Sequence, residues 1–405
     1  MANKFFISDK VGDDKLSHSE GVVFGKAHYS WKIISKLYRE ALQISGAHVS
    51  NITRPEIYQS QTSLATINAE PTDFHLAIKP TEELRPMPGV RNLYVCGWEF
   101  PEISESDYGV NPFYNQRRVL RLADAIFCWS DYTRDNLRQA GLKQAFTLPP
   151  PIDNKKVDVP PRLPAVPCIP LDTQGDPNNQ QVYALDGLLP TFGSGTLFVS
   201  VLNPYDERKC LSTMLHGFLG AIAAGIDAYL IIKLVIDNVG TTVGNINEIL
   251  LNLHDIRAKS KRILFVGHQL SDHEMTNLLA VPHYYLCTSS CEGLNLPVVS
   301  ALRQGTPVVS TWNSAMGTYL DGENSIEIEC QPALLKGKGH ALAAHMDVTH
   351  FPPTPSTVKT ALIKASSLSR DNYKAMRSSS IDAAERHFGM NRFSSRLSDI
   401  LNHLN

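Results

Sequence analysis

The chain contains no C-x-x-C pair, and nowhere do about 18 apolar residues run together. Its seven cysteines are odd in number and scattered. They read neither as a disulfide framework nor as a zinc site, which predicts a reducing compartment. Cys287 and Cys291 are expected to be small buried hydrophobes. The opening residues MANKFFISDKVGDD lack the apolar core of a signal peptide. These absences predict a cytoplasmic protein, at most peripheral at the inner face of a membrane. Net charge is also missing, since 38 Lys and Arg nearly cancel 40 Asp and Glu. No global field marks the chain as a nucleic-acid binder. No internal repeat of roughly 20 to 50 residues is visible either, which excludes solenoids and propellers.

What is present is an alternation of short β-branched, aromatic runs with helix-like segments, the pattern of parallel sheets with crossover helices. Candidate strands in the first part are KFFIS (4–8), FHLAI (74–78), NLYVCGW (92–98), AIFCWS (125–130) and AFTL (145–148). Candidate helices there cover 25–45 and 131–140. The second part offers TLFVSVL (196–202), AYLIIKLVI (228–236), RILFVG (262–267), HYYLCTS (283–289) and PVVST (307–311). Between the two, residues 149–181 are too rich in proline for a helix or a central strand. After about 355 only helical signals remain. A length of 405 residues suits two domains facing across a cleft. The expected fold class is α/β, two doubly wound units: 1–150, a linker and extended segment 151–190, 191–370, and C-terminal helices 371–405 packing back toward the first domain.

The chemistry concentrates where strands end. In SSCEGLNLPVVSALRQGTPVVST (289–311), Glu292 follows a strand and precedes a helix with Pro297 early and Gly305 past its end. That places an acid at the carboxyl edge of a parallel sheet, where ligands bind. The following Gly293, Leu294, Asn295 and Leu296 are expected to present backbone N–H groups at the helix N-terminus, a site for phosphate or a sugar hydroxyl. A carboxylate beside them suits a hydroxyl-rich ligand, because it accepts from two O–H donors. The plainer alternative is that Glu292 only caps the helix. In SVLNPYDERKCL, Arg208 and Lys209 occupy another strand-to-helix loop, where a cationic pair can neutralise a departing phosphate or can simply be a solvated turn. His268 and Gln269 lie past the strand ending at Gly267, with Ser271 or Asp272 as the next helix cap.

The other wall of the cleft would come from the first domain. His18 and Glu20 lie in SDKVGDDKLSHSEGVVFG, and Glu99 follows Trp98 in GWEFPE, an acid beside an aromatic that can serve as a sugar platform. Both pairs are candidate acceptor contacts. The helix KAHYSWKIISKLYREALQ carries Lys26, Lys32, Lys36 and Arg39 beside Ile33, Ile34, Leu37 and Ala41. Such a face suits either anionic lipid or ordinary amphipathic packing.

The order of these motifs resembles the retaining glycosyltransferases of GT-B fold, the large family-4 type that includes sucrose synthase and bacterial mannosyltransferases. The parts that match are the N-P-x-D-x-R-K loop, the F-V-G loop with its D-H-E-M helix, S-S-x-E-G-L-x-L-P, and G-T-P-V-V-S. Together they cover about 196–330, including NSAMGTYL and GENSIEI; the first half matches loosely through SDYTRDNLRQAGL. The resemblance implies that Glu292 touches the donor sugar and Lys209 the diphosphate. Ser300 stands where the family's second glutamate holds the ribose, and Asn203 stands where an arginine is expected, with Arg208 able to supply the charge. It further implies a nucleotide-sugar co-substrate, no other cofactor, a saccharide or lipid-linked acceptor, and retention of configuration. No D-x-D triplet occurs, so no metal is expected. Two other readings stay open on the same fold: a catalytically inactive saccharide-binding or scaffold protein, and a nucleotide-sugar epimerase. Oligomeric state is not legible.

Overall fold

Apolar runs bounded by turn residues make strands buried on both faces, as FHLAI, ILFV and YYLC are throughout their length. The computed structural model describes residues 3–9, 27–107, 112–152, 162–171, 182–188, 192–236, 262–336 and 345–404. The first sheet is wholly parallel, in the order β2-β1-β3-β4-β5-β6. Its strands are β1 (Lys4–Asp9), β2 (His48–Asn51), β3 (Phe74–Ile78), β4 (Arg91–Cys96), β5 (Ala125–Cys128) and β6 (Ala145–Thr147). The strand expected over 92–98 stops at Cys96, because the chain then turns away toward the second domain.

The second sheet runs β14-β13-β12-β9-β10-β11-β7-β8. Its strands are β7 (Pro167–Pro170), β8 (Tyr183–Ala184), β9 (Thr196–Leu202), β10 (Ala228–Leu234), β11 (Ile263–Val266), β12 (Tyr284–Cys287), β13 (Val308–Ser310) and β14 (Ser325–Glu327). Only β7 and β8 are antiparallel. β7 comes from the proline-rich segment and lies between β11 and the edge strand β8, with its prolines at its two ends. A separate hairpin pairs β15 (Ala333–Lys336) with β16 (Asp347–His350).

Helices flank the sheets. They are α1 (Ala27–Ile44), α2 (Gln61–Ala65), α3 (Gln116–Leu120), α4 (Asp131–Gln139), α5 (Leu211–Ala223), α6 (Asp272–Ala280), α7 (Leu296–Arg303), α8 (Pro355–Ser366), α9 (Arg370–Phe388) and α10 (Met390–Leu404). α1 buries Ile34, Tyr38, Ala41 and Leu42. Ordinary packing therefore accounts for its apolar face, and Lys32 and Lys36 point to solvent. α8 lies on α5 so closely that a Cβ at Gly217 would stand 2.5 Å from Val358 Cγ1. α9 packs on α7, and α10 crosses to the first domain, where Phe393 meets Tyr38 edge-on at 5.9 Å. Among the described residues, no helix is long and apolar enough to cross a membrane. The strands order the site: β4, β9 and β12 all end at the same cleft.

Candidate active site

The loop after β9 is a tight turn built by its own polar side chains. Asn203 Oδ1 accepts from Tyr205 N (3.0 Å), and Asp206 Oδ1 accepts from Arg208 N (3.1 Å) and Nε (3.0 Å). Asp206 Oδ2 takes the Arg208 Nη2 at 2.7 Å. Consecutive residues then diverge. Arg208 reaches across the cleft to Glu99, and Lys209 reaches Glu292. The neighbouring loop holds the turn from below, with Ser290 N donating to Arg208 O (2.7 Å) and Thr288 Oγ1 to Lys209 O (2.8 Å).

Glu292 sits in the turn from β12 to α7, only 6 % exposed. Its backbone is fixed by Ser314, whose Oγ accepts from Glu292 N at 2.8 Å, and by Ala315 N on its carbonyl at 3.2 Å. Its Oε1 accepts from Lys209 and from Asn295 Nδ2, the latter at 3.0 Å. Asn295, in the left-handed region at φ 67°, caps α7 by accepting from Val298 N at 3.2 Å. The hydrogen-bonding cap of α7 is thus Asn295, three residues after Glu292, while the Glu292 carboxylate turns to Lys209. The cap takes up Val298 N, just beyond the Gly293–Leu296 segment expected to offer N–H groups. Leu294 is buried with its carbonyl taken by the Tyr319 hydroxyl, and Leu296 begins the helix half-buried.

The first domain closes over this floor. Its loop after β4 brings Gly97 O to 2.5 Å from where a Cβ on Gly293 would be. Trp98 is half-buried; its carbonyl accepts from Thr133 Oγ1 (2.8 Å), and its Nε1 donates to Glu102 O (2.6 Å). Glu102 spans the domains, accepting from Thr349 N (2.9 Å) and Thr349 Oγ1 (2.6 Å). Phe100 joins Cys291 and Val348 in an apolar cluster. The side chains are packed nearly to contact: the cavity among Ser200, Lys209, Tyr285, Cys287, Thr288 and Asn295 is only about 10 Å³.

The electrostatics follow from this pairing. Burial pulls the Lys209 ammonium down, yet Glu292 and Asp206 more than offset it and leave its pKa above the ordinary value. Burial likewise opposes the Arg208 charge, and Glu99 and Asp206 outweigh it. Burial raises both the Cys287 and the Cys291 thiols, so neither is a ready nucleophile. The arrangement offers two half-buried cations for a polyanion and a buried carboxylate for hydroxyl groups.

The structure thus brings Glu99, Arg208, Lys209, Glu292 and Asn295 together. It keeps His268, exposed, and Gln269, half-buried, at the end of β11, three strands along the sheet from β12. Asn203 serves its own turn, and Ser300 lies half-buried in the middle of α7. Ser271 is the α6 cap, in a reciprocal box with Glu274. His18 and Glu20 lie outside the described residues. Sequence reasoning missed Asp206, Ser314, Glu102 and Thr349. Only Asp206 had a signal, an aspartate two residues before an arginine in a turn. Among the described residues, no group of three or more His, Cys, Asp or Glu is placed to hold a metal ion.

No protein-family model matches the chain, and no curated protein matches it in sequence. Solved structures do match. The chain is similar to a UDP-forming α,α-trehalose-phosphate synthase from Burkholderia xenovorans, at 13 % identity and TM-score 0.60, covering 100 % of this chain and 99 % of that one. It is similar to an E. coli trehalose-6-phosphate protein bound with UDP-2-fluoro glucose, at 12 % identity and TM-score 0.60, covering 99 % of both chains. A glycosyltransferase from Rickettsia africae ESF-5 matches at 10 % identity and TM-score 0.57, covering 100 % of this chain and 98 % of that one. These likenesses show the fold, which is GT-B.

Proposed function

From a GT-B fold, we propose that the protein is a glycosyltransferase that moves a sugar from a nucleotide-sugar donor to a saccharide or lipid-linked saccharide acceptor, in polysaccharide or glycolipid synthesis at the cytoplasmic side. The observation that carries this reading is the pair of half-buried Lys209 and buried Glu292 at the carboxyl edge of β9 and β12. A cation and an acid held side by side match the two halves of a sugar diphosphate. Lys209 and Arg208 neutralise charge on the leaving phosphate as the glycosidic bond breaks. Glu292 accepts from two sugar hydroxyls and fixes the ring. Trp98 and Glu99 form the acceptor wall. Retention without metal follows from the resemblance, with basic side chains in place of a metal ion. Ser300 offers the ribose a neutral bond where a carboxylate would accept twice, so the reading includes a loose grip on the nucleoside and tolerance of a 2′-deoxy donor.

The test is transfer or hydrolysis by the purified protein with UDP-, GDP- and ADP-sugars, read by mass spectrometry. Turnover is expected to continue in excess EDTA. Glu292→Gln is expected to retain the fold and lose at least a hundredfold in turnover, about 2.7 kcal/mol. One observation favours a second reading, an inactive saccharide-binding protein: both cations are already neutralised by the protein's own carboxylates. Intact donors throughout, with saccharide binding retained, would establish it.

A further inference from the structure

We propose that Glu99 is a tethered occupant of the phosphate subsite: its carboxylate holds Arg208 across the cleft until the diphosphate of a donor displaces it, so that Glu99 sets donor affinity. The inference rests on the donor reading above.

Four features of the structure carry it. First, Glu99 is 7 % exposed and belongs to the first domain, while its partner Arg208 belongs to the loop after β9 in the second. Second, the guanidinium does not depend on Glu99 for its pose. Asp206 already grips Nε and Nη2, at 3.0 and 2.7 Å, and leaves the Nη1 edge to Glu99. A phosphate oxygen can therefore replace the carboxylate at Nη1 with the same donor geometry. Third, the loop that carries Glu99 is pinned elsewhere, by Gly97 against Gly293, by Phe100 against Cys291 and Val348, and by Glu102 on Thr349. Release of Glu99 is then a side-chain movement that leaves these pins of its loop in place. Fourth, the adjacent cation differs. Lys209 has as its partner a carboxylate of its own domain that is also held by Asn295, so only Arg208 is claimed from across the cleft.

A carboxylate and a phosphate cannot share the Nη1 edge without like-charge repulsion in a buried site. Because Glu99 is tethered, it competes at a high effective concentration. Donor binding must overcome that competition, and it moves the Glu99 carboxylate off Arg208 toward the Trp98 wall. The diphosphate thereby frees an acid on the acceptor side only when the donor is in place.

The experiment is calorimetric titration of UDP and of inorganic pyrophosphate into the full chain, in wild type and in Glu99→Gln, Glu99→Asp and Glu102→Gln variants. Glu99→Gln is expected to bind both ligands at least tenfold more tightly than wild type. Glu99→Asp, whose shorter side chain keeps the charge but withdraws from Arg208, is expected to gain part of that and serves if the Gln variant fails to fold. Glu102→Gln removes a pin but no competitor and is expected to bind no more tightly than wild type. A gain in affinity is a readout that loss of a merely structural residue would not produce. Equal or weaker binding by both Glu99 variants, with wild type binding UDP normally, overturns this inference alone. Absence of UDP and pyrophosphate binding in every variant and in wild type overturns the donor reading and this inference with it.

Discussion

Gly293 leaves no room for a side chain. Its missing Cβ would stand 2.5 Å from Gly97 O and 2.9 Å from Gly97 C, and both are backbone atoms that no rotamer change can move aside. Gly97 cannot retreat either, since it lies directly beneath the Trp129 ring. Gly293→Ala must therefore lift the first domain's loop off the second, taking Glu99 with it. The expected cost is about 1–3 kcal/mol of stability and a loss of tenfold or more in donor turnover, read by denaturant melts and steady-state rates. Wild-type values for both would show that the two loops separate freely. At this scale the site was partly legible. Glu292, Arg208 and Lys209 announce themselves because each lies in the loop between an apolar strand and the next helix, at a ligand edge. Asn295 as the α7 cap was missed although an asparagine just before an apolar run with an early proline is a cap signal; its amide also meets Cys287 Sγ and Met316 Sδ. Glu102 and Thr349 meet only through the fold, 247 positions apart in sequence.

β10 contains a residue at odds with its surroundings. Along it Leu230, Ile232 and Leu234 face one core while Ile231 and Lys233 face the other. Lys233 is 3 % exposed, and its ammonium donates to Leu234 O at 2.5 Å. Burial pulls its pKa from 10.5 to about 8. The sign follows from proton counting. Between pH 8 and 10.5 the unfolded chain keeps a proton that the folded chain has released, so stability rises across that window. Below it the folded state carries the full penalty. Lys233→Met is expected to stabilise the protein at pH 7 by on the order of 2–3 kcal/mol, a gain that fades by about pH 10.5. Urea unfolding at pH 7 and pH 10 measures it, and a Met variant no more stable than wild type at pH 7 refutes it. Most strands were legible for the reason Lys233 was not: an unbroken apolar run identifies a buried strand, and one lysine within it leaves the reading unchanged. β2 and β16 escaped because they are short, largely exposed or half-buried and mostly polar, and β15 because it is only four residues long and alternates between half-buried and exposed. β7 escaped because prolines at both of its ends hide a strand that is only four residues long, paired with β11 on one side and β8 on the other.

Among the described residues, the two domains meet at the cleft loop, where α4 packs on Ser314–Thr318, and along α10. Phe393, Leu397, Ile400 and Leu401 of α10 are buried in one core with Ile34, Tyr38 and Leu42 of α1. Ile152 N also donates to Phe388 O at 2.9 Å, which fixes the return of the chain. Phe393→Ala is expected to destabilise the first domain by about 3–5 kcal/mol. The check is hydrogen exchange in β1 and β3, which should rise while exchange in β9 and β10 changes little; equal rises in both sheets would mean that the domains unfold as one. The same helix imposes a timetable. β6 ends at Thr147 and α10 begins at Met390, so the cover for the first domain is synthesised roughly 240 residues after the sheet it shields. At about 5–20 residues per second that interval is some 12–50 s. Throughout it the nascent first domain shows the apolar flank of α1 to its surroundings, which makes this flank the surface where a chaperone, or another nascent chain, meets the protein first.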